Sequence, residues 1–204
     1  VVATMLPNIP AQAEAHFGVP ACGAVLNAIN TRLEPDTVAY ILSHGGAKVV
    51  LCDTQFLPTL SDAIARMETT PPLVIECPDD QAGFPATGQL KTYEDLLAEG
   101  DPEFTWIMPE DEWESIALNY TSGTTGRPKG AELTAGNLMA ASLSYLADVD
   151  DVAAEDAALY AAPISHGAGL YNFVHVQRGA RHVIPESGGF DPGEILSLAR
   201  DLKG

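Results

Sequence analysis

Short apolar segments alternate with helical patterns through most of this 204-residue chain. The predicted strands are residues 2–6, 25–30, 48–52, 73–77, 116–120, 157–162 and 182–184. The predicted helices are residues 11–23, 35–43 and 56–67, followed by helices that start near residues 136 and 192. Strands separated by helices favour parallel pairing, because each crossover helix covers a face of the sheet. We therefore predict an α/β fold with mostly parallel sheets covered by helices.

Residues 120–130, YTSGTTGRPKG, are rich in glycines, hydroxyl groups and cations, and lie between a predicted strand and a predicted helix. Glycines let backbone N–H groups approach an anion closely, hydroxyls donate directional hydrogen bonds, and a lysine adds a mobile positive charge. This composition predicts a phosphate-binding loop. The candidate ligand-binding residues are Thr121, Ser122, Gly123, Thr124, Thr125, Gly126 and Lys129.

Other loop classes fit this stretch poorly. A Walker A loop needs a glycine five positions before Gly-Lys-Ser/Thr, and a dinucleotide-binding turn needs G-x-G-x-x-G; neither pattern is present. A serine hydrolase would carry G-x-S-x-G, which is absent around Ser122, Ser144 and Ser165. The histidines lack metal-ligand spacing and no Cys-x-x-Cys occurs, so we predict no zinc site.

Residues 120–130 resemble the signature loop of the AMP-forming adenylating enzymes, which include acyl-CoA synthetases, luciferases and peptide-synthetase adenylation domains. Further segments that resemble this family follow in its order: residues 5–8, 23–27, 30–33, 39–42, 46–50 and 162–169. The resemblance implies that the chain is part of the family's large N-terminal domain. Within the family, acyl-CoA ligases are the favoured class.

The resemblance also implies a chemistry in two steps. A carboxylic acid reacts with ATP and Mg²⁺ to give an acyl-adenylate, and coenzyme A then takes the acyl group. Lys129 is expected to reach the β- and γ-phosphates, and His166 to line the carboxylate pocket, so these two are the catalytic candidates. Residues 167–173 are expected to border the acyl pocket. Glu132 lies close to the loop in sequence, where a carboxylate would repel the phosphates.

The family's later motifs for adenine, ribose, metal and the catalytic lysine do not occur in these 204 residues. We therefore expect a partial AMP-binding domain without the C-terminal domain, inactive by itself, with its metal-binding glutamate elsewhere. Residues 101–114 are acidic and contain prolines, and are predicted to join subregions 1–100 and 115–204. The alternative is a non-catalytic nucleotide- or phosphate-binding remnant or regulatory domain.

Composition limits the partners. A net charge of −18 opposes binding to nucleic acid or to an anionic membrane, and no apolar stretch approaches membrane-spanning length. Three widely spaced cysteines in apolar sequence predict reduced core thiols and a cytoplasmic protein. Trp106 and Trp113 are expected to be packing residues. An apolar face left uncovered would let two or more copies of the chain associate as a homo-oligomer.

Overall fold

The computed structural model describes residues 1–121 and 126–202 as an α/β protein. Its strands are β1 (Val2–Met5), β2 (Leu26–Ala28), β3 (Val49–Asp53), β4 (Leu73–Cys77), β5 (Ser115–Thr121), β6 (Lys129–Thr134), β7 (Ala157–Leu159) and β8 (Arg181–Val183). Its helices are α1 (Pro10–Ala21), α2 (Pro35–His44), α3 (Leu57–Ile64), α4 (Tyr93–Ala98), α5 (Ala135–Asp148), α6 (Leu170–Arg178) and α7 (Pro192–Leu202). The predicted fold class is confirmed.

Six strands form the main sheet in the order β4-β3-β1-β2-β5-β6. The first five are parallel to their neighbours and β6 runs antiparallel to β5. The contact between β2 and β5 is short, with a single paired position, Leu26 opposite Ala117. Because the five parallel strands share one direction, their carboxyl ends meet at one edge of the sheet, which is where ligands bind in open α/β folds.

Helices cover both faces of this sheet. One face packs against α1 through an apolar cluster that includes Ala15, Leu51 and Ile75. The other face packs against α2 and α3 through a cluster that includes Ile41 and Leu60. Each fully buried Leu or Ile side chain contributes about 1.5–3 kcal/mol, so these two clusters hold the layers together.

The order strand, loop, helix predicted around residues 116–146 is wrong in one respect. A strand, β6, lies between the loop and α5, so that Lys129 and Gly130 belong to a strand and not to the loop. The alternation of exposed residues in β6 is weak, which is why the sequence did not reveal it. The start of α5 is as predicted, because Thr134 caps it by accepting a hydrogen bond from the Asn137 backbone N–H.

The last third of the described chain forms a second, smaller layer. Strands β7 and β8 pair in parallel as a two-stranded sheet, and α5 and α6 pack against each other beside it. Both strands were predicted from the sequence. The segment between them, residues 170–178, is helix α6.

The two tryptophans are not packing residues. Trp106 is 70% exposed, next to the exposed Ile107 and Met108, and Trp113 is 63% exposed. Their aromatic character suggested burial, but the segment runs over the outside of the molecule, held to the end of α1 by the Ile107 N–H donating to the Ala21 carbonyl at 2.8 Å. In the two described stretches of chain, no helix is both long and apolar enough to cross a membrane.

The expectation of three core thiols holds for two of them. Cys52 and Cys77 are buried, whereas Cys22 is exposed just after α1. Burial raises the pKa of Cys52 far above its usual range and that of Cys77 to about 12. Because the thiolate is the reactive form, both buried thiols are inert in the folded protein.

We predict that a thiol reagent applied under native conditions labels Cys22 much faster than Cys52 or Cys77. Peptide mapping by mass spectrometry after brief labelling measures this directly. In a Cys22→Ser variant the fast-labelled peptide disappears, and in urea the other two thiols become reactive. Rapid native labelling of Cys52 would show that the β3–α2–α3 layer is not packed as described.

Candidate functional site

A cleft of about 540 Å³ opens where the carboxyl ends of β2 and β5 meet residues 165–166. Its volume lies within the range of ordinary small-molecule sites. The side chains or backbones that line it are Asn27, Ala28, Ile29, Asn30, Leu33, Thr37, Ile41, Asn119, Tyr120, Thr121, Gly126, Pro128, Ser165 and His166. The cleft therefore brings together parts of both predicted motifs, residues 120–130 and residues 162–169, which lie far apart in the sequence.

The predicted site residues fall into three groups. Thr121, Gly126 and His166 line the cleft. Lys129 is exposed and is paired with Thr121 across the β5–β6 ladder. Residues directly opposite in a ladder project from the same face of the sheet, so Lys129 leaves the sheet on the side that Thr121 occupies. Ser122, Gly123, Thr124 and Thr125 lie outside the described residues.

Among the described residues that line the cleft, none is acidic. This is notable in a chain with 28 Asp and Glu residues. The expected repulsion from Glu132 is also weakened by its placement. Its carboxylate accepts a hydrogen bond of 2.5 Å from the Ser115 hydroxyl, at the opposite end of β5 from Thr121. Six residues of strand span about 20 Å, which is twice the Debye length of about 10 Å in 0.1 M salt.

Tyr120 anchors the first stem of the loop, residues 120–121, to α2. A hydrogen bond of 2.7 Å joins its hydroxyl to Nδ1 of His44, the last residue of α2. Burial, with a smaller contribution from Tyr40, raises the pKa of Tyr120, which therefore keeps its proton at neutral pH. Gly130 lies under this ring, since a Cβ there would be 2.9 Å from Leu118 Cδ1 and 3.4 Å from Tyr120 Cζ.

Arg127 anchors the second stem of the loop, residues 126–128, to the same helix. Its guanidinium carbon lies 5.3 Å from the centre of the Tyr40 ring, within cation–π range. It lies on the α2 side of the loop, in a groove with Asp36 and Arg66, and does not line the cleft. In this structure the Arg127 side chain thus contacts an aromatic ring of α2.

Asn8, which follows β1, holds residues 160–164 in place. Its side-chain amide donates to the Ala162 carbonyl at 2.9 Å and to the Tyr160 carbonyl at 3.4 Å, while its carbonyl oxygen accepts from the Ile164 N–H at 2.8 Å. These bonds join the two layers and place the turn that carries His166. The sequence identified the segment around Asn8 but not this role; its one signal was a polar residue shortly after a buried strand.

His166 begins a short 3-10 turn, Gly167–Gly169, that leads into α6. It is exposed and comes seven residues after the end of β7. It borders two spaces: the cleft, and a small pocket of about 20 Å³. The pocket is mainly apolar, with Leu26, Leu133, Leu138, Ile164, Leu170 and Phe173 among its lining residues.

His16 closes the far side of this pocket and was not singled out by the sequence. It is buried on α1, and its Nδ1–H donates to the Gln12 carbonyl at 2.7 Å. Burial lowers the pKa of His16, against the opposing effect of the Gln12 and Ile164 carbonyls. Its Nε2 lies close to Gly169, where an added Cβ would be 2.9 Å from Nε2 and 2.0 Å from the Ile164 oxygen.

Gly169 is therefore expected to tolerate no side chain. We predict that Gly169→Ala lowers the free energy of unfolding by about 3 kcal/mol, because overpacking forces the turn away from Ile164 and His16. Urea and thermal unfolding measure the change. The matched control is Gly167→Ala, two residues earlier in the same turn, where a Cβ meets no atom within 4 Å; equal stability losses in the two variants would contradict this packing.

This chain is similar to members of a known protein family, to curated sequences and to solved structures. A family model described as "AMP-binding enzyme" matches residues 1–203. An acetate/butyrate–CoA ligase of Arabidopsis thaliana, named as peroxisomal, is 46% identical over 143 residues, which cover 65% of this chain and 25% of that protein. An acetate–CoA ligase of Humulus lupulus is 43% identical over 155 residues, which cover 70% of this chain and 27% of that protein.

A similar solved structure is that of MatB from Rhodopseudomonas palustris with ATP bound. It is 26% identical to this chain and superposes with a TM-score of 0.79 over 98% of this chain and 37% of its own. The chain thus spans about a quarter of the length of the two curated relatives and just over a third of this structure.

Proposed function

The chain belongs to the AMP-binding enzyme family, and from that membership we propose that the whole protein activates a short carboxylic acid with ATP and transfers the acyl group to coenzyme A. The observation that carries the proposal is the shared cleft: Thr121 and Gly126 from the phosphate motif and His166 from the second motif line one space. That CoA ligases are among the relatives supports the same reaction class.

In the proposed first step, a carboxylate oxygen attacks the α-phosphorus of ATP and forms an acyl–phosphate bond. The bond to the bridging oxygen breaks, and pyrophosphate leaves with the electron pair. In the second step the sulfur of coenzyme A attacks the acyl carbon, a proton is lost from the thiol, and AMP leaves. The demand on the protein is to stabilise the growing negative charge on pyrophosphate while it keeps attacker and leaving group in line.

The described residues are suited to parts of this task. Thr121 offers a hydroxyl in the cleft, and Lys129 projects a cation from the same face of the sheet. His166 lies between the cleft and the small apolar pocket. An acid bound there would place its short apolar tail in the pocket and its carboxylate group toward the phosphates in the cleft. Ser122, Gly123, Thr124 and Thr125 are proposed as further phosphate ligands on the strength of the sequence alone.

Mg²⁺ is proposed as the counter-ion of ATP. Across residues 1–121 and 126–202, no three His, Cys, Asp or Glu side chains lie close enough together to hold a metal ion. No Mg²⁺ ligand is therefore assigned among these residues.

The remaining expectations stay proposals about the whole protein. Residues 1–100 and 115–204 are proposed as subregions joined by residues 101–114, although β5 and β6 of the second share a sheet with β1–β4 of the first. A cytoplasmic location and homo-oligomerisation are proposed as well; the ligase of A. thaliana is named as peroxisomal, so organelle fractionation is the relevant measurement.

The central experiment is ATP–pyrophosphate exchange by the full-length protein with a panel of acids. The pocket of about 20 Å³ is too small for a long alkyl tail, and one relative is named for acetate and butyrate. We predict that two- to four-carbon acids support exchange with kcat/KM at least about tenfold above octanoate. ATP binding without exchange for any acid would favour the non-catalytic nucleotide-binding alternative.

A variant tests whether this pocket sets the length preference. Leu170 lines the pocket and is partly exposed, so its truncation enlarges the space at small cost to the fold. Leu170→Ala is expected to raise kcat/KM for hexanoate relative to acetate. Leu196→Ala is the matched control, because Leu196 is exposed on α7 and does not line the pocket. An unchanged ratio in Leu170→Ala would remove this pocket from the acyl site.

Lys129 is proposed to stabilise the charge on pyrophosphate. We predict that Lys129→Ala lowers kcat for exchange by about tenfold to a hundredfold, the loss of one charge-assisted interaction in the transition state. Lys48→Ala is the control, because Lys48 is also exposed but precedes β3 at the opposite edge of the sheet. Wild-type turnover in Lys129→Ala would exclude this role.

A further inference from the structure

The hydrogen bond between His44 and Tyr120 crosses 76 positions of sequence and ends at the base of the phosphate loop. Tyr120 directly precedes Thr121, which lines the cleft, and its own ring borders the cleft. His44 is the last residue of α2 and lies outside every segment for which a function is proposed above. The bond is thus a direct link between a helix with no assigned role and the proposed site.

Packing around this bond is specific. The His44 ring stacks on Tyr40 with centres 5.2 Å apart and meets the edge of Tyr120 at 5.8 Å. Gly45 leaves room for the hydroxyl, since a Cβ there would lie 3.3 Å from Tyr120 Oη. Gly130 leaves room for the ring from the β6 side. Tyr120 therefore sits between two glycines with its hydroxyl directed at His44.

Both stems of the loop contact the same helix. The first is joined through Tyr120 to His44, and the second through Arg127 to Tyr40, one turn earlier on α2. Helix α2 is itself fixed to the sheet, because Val38, Ile41 and Leu42 are buried in the apolar cluster. The described residues on both sides of positions 122–125 are thus held by one rigid element, and residues that are already ordered lose less conformational entropy when a ligand binds.

We propose that His44 is a positioning residue, which fixes Tyr120 and through it Thr121, the neighbouring residue of the phosphate motif that lines the cleft. His44 does not contact the cleft and makes no bond to substrate. Its removal leaves Thr121 in the chain but makes the ordering of this end of β5 part of the cost of ATP binding. This inference rests on the proposed function in one respect: ATP is taken to be the ligand that the cleft binds.

Four variants of the full-length protein test the proposal: His44→Ala, His44→Asn, Tyr120→Phe and the double variant His44→Ala/Tyr120→Phe. His44→Asn keeps a side-chain group near the position of Nδ1 and serves as the conservative rescue. The matched control is Tyr93→Phe, which also removes a hydroxyl that joins two elements, since Tyr93 donates to Glu14 at 2.8 Å. Tyr93 does not line the cleft.

We expect His44→Ala and Tyr120→Phe each to raise KM for ATP in the exchange assay about fivefold, the value of one hydrogen bond. The KM for the acid stays unchanged and kcat changes less than twofold. The double variant is no worse than either single one, because both remove the same bond. His44→Asn stays within twofold of wild type, and Tyr93→Phe leaves KM for ATP unchanged even if it lowers Tm.

The Kd for ATP, measured by calorimetry without acid, separates this proposal from the ligase hypothesis. A wild-type protein that binds ATP but catalyses no exchange would end the ligase hypothesis, while the same fivefold rise in Kd would still support positioning. Unchanged Kd and KM in His44→Ala, additive losses in the double variant, or an equal rise in KM for the acid would each overturn the proposal. If Tyr120→Phe fails to fold, the comparison of His44→Ala with His44→Asn decides.

Discussion

The position of β5 determines whether this chain has a site at all. β5 meets the parallel strands at one paired position, Leu26 with Ala117, and its end carries the phosphate motif. A second bond strengthens this contact, because the buried Asn27 side chain donates to the Leu118 carbonyl at 2.7 Å. A buried amide without a partner costs about 1–3 kcal/mol, so Asn27 favours the one placement of β5 that satisfies it.

The second layer depends on a similar device. Asn8 uses both ends of its amide on residues 160–164, and these bonds determine where the turn with His166 lies relative to β5. Two asparagines, each just after or within a strand of the sheet, thus align the two motifs. The apolar clusters hold the layers together without directional preference, whereas the two amides accept only one register.

The parts of the fold with a strong periodic signal were predictable from the sequence. β4 was predicted with its observed bounds, because Pro72 and Pro78 flank its apolar run. α2 was predicted to within one residue, because Pro35 marks its start and Gly45 follows its end. β6 was missed, since its side chains are mostly exposed and its stability comes from pairing with β5. Pairing of this kind depends on tertiary structure and leaves little trace in a single sequence.

The site was predictable as a set of residue types but not as a geometry. Thr121, Gly126 and His166 were named from their motifs, and they do line one cleft. Nothing in the sequence indicated that Arg127 would lie over Tyr40, or that His44 would bond to Tyr120, because both contacts join positions 76 or more residues apart. The exposure of Trp106 and Trp113 was missed for the same reason: whether an aromatic residue is covered depends on the path of the chain around it.

Charge placement is compatible with the proposed binding of an anion by so acidic a chain. A net charge of −18 spread over the surface is screened beyond about 10 Å, so the local field is determined by groups at the cleft itself. The described residues lining the cleft include no carboxylate, and Glu132 is held at the far end of β5 by Ser115. Lys129, which projects from the same face of the sheet as Thr121, is the cation proposed to attract the phosphates, and a cation near the cleft acts on a ligand more strongly than distant, screened surface carboxylates do.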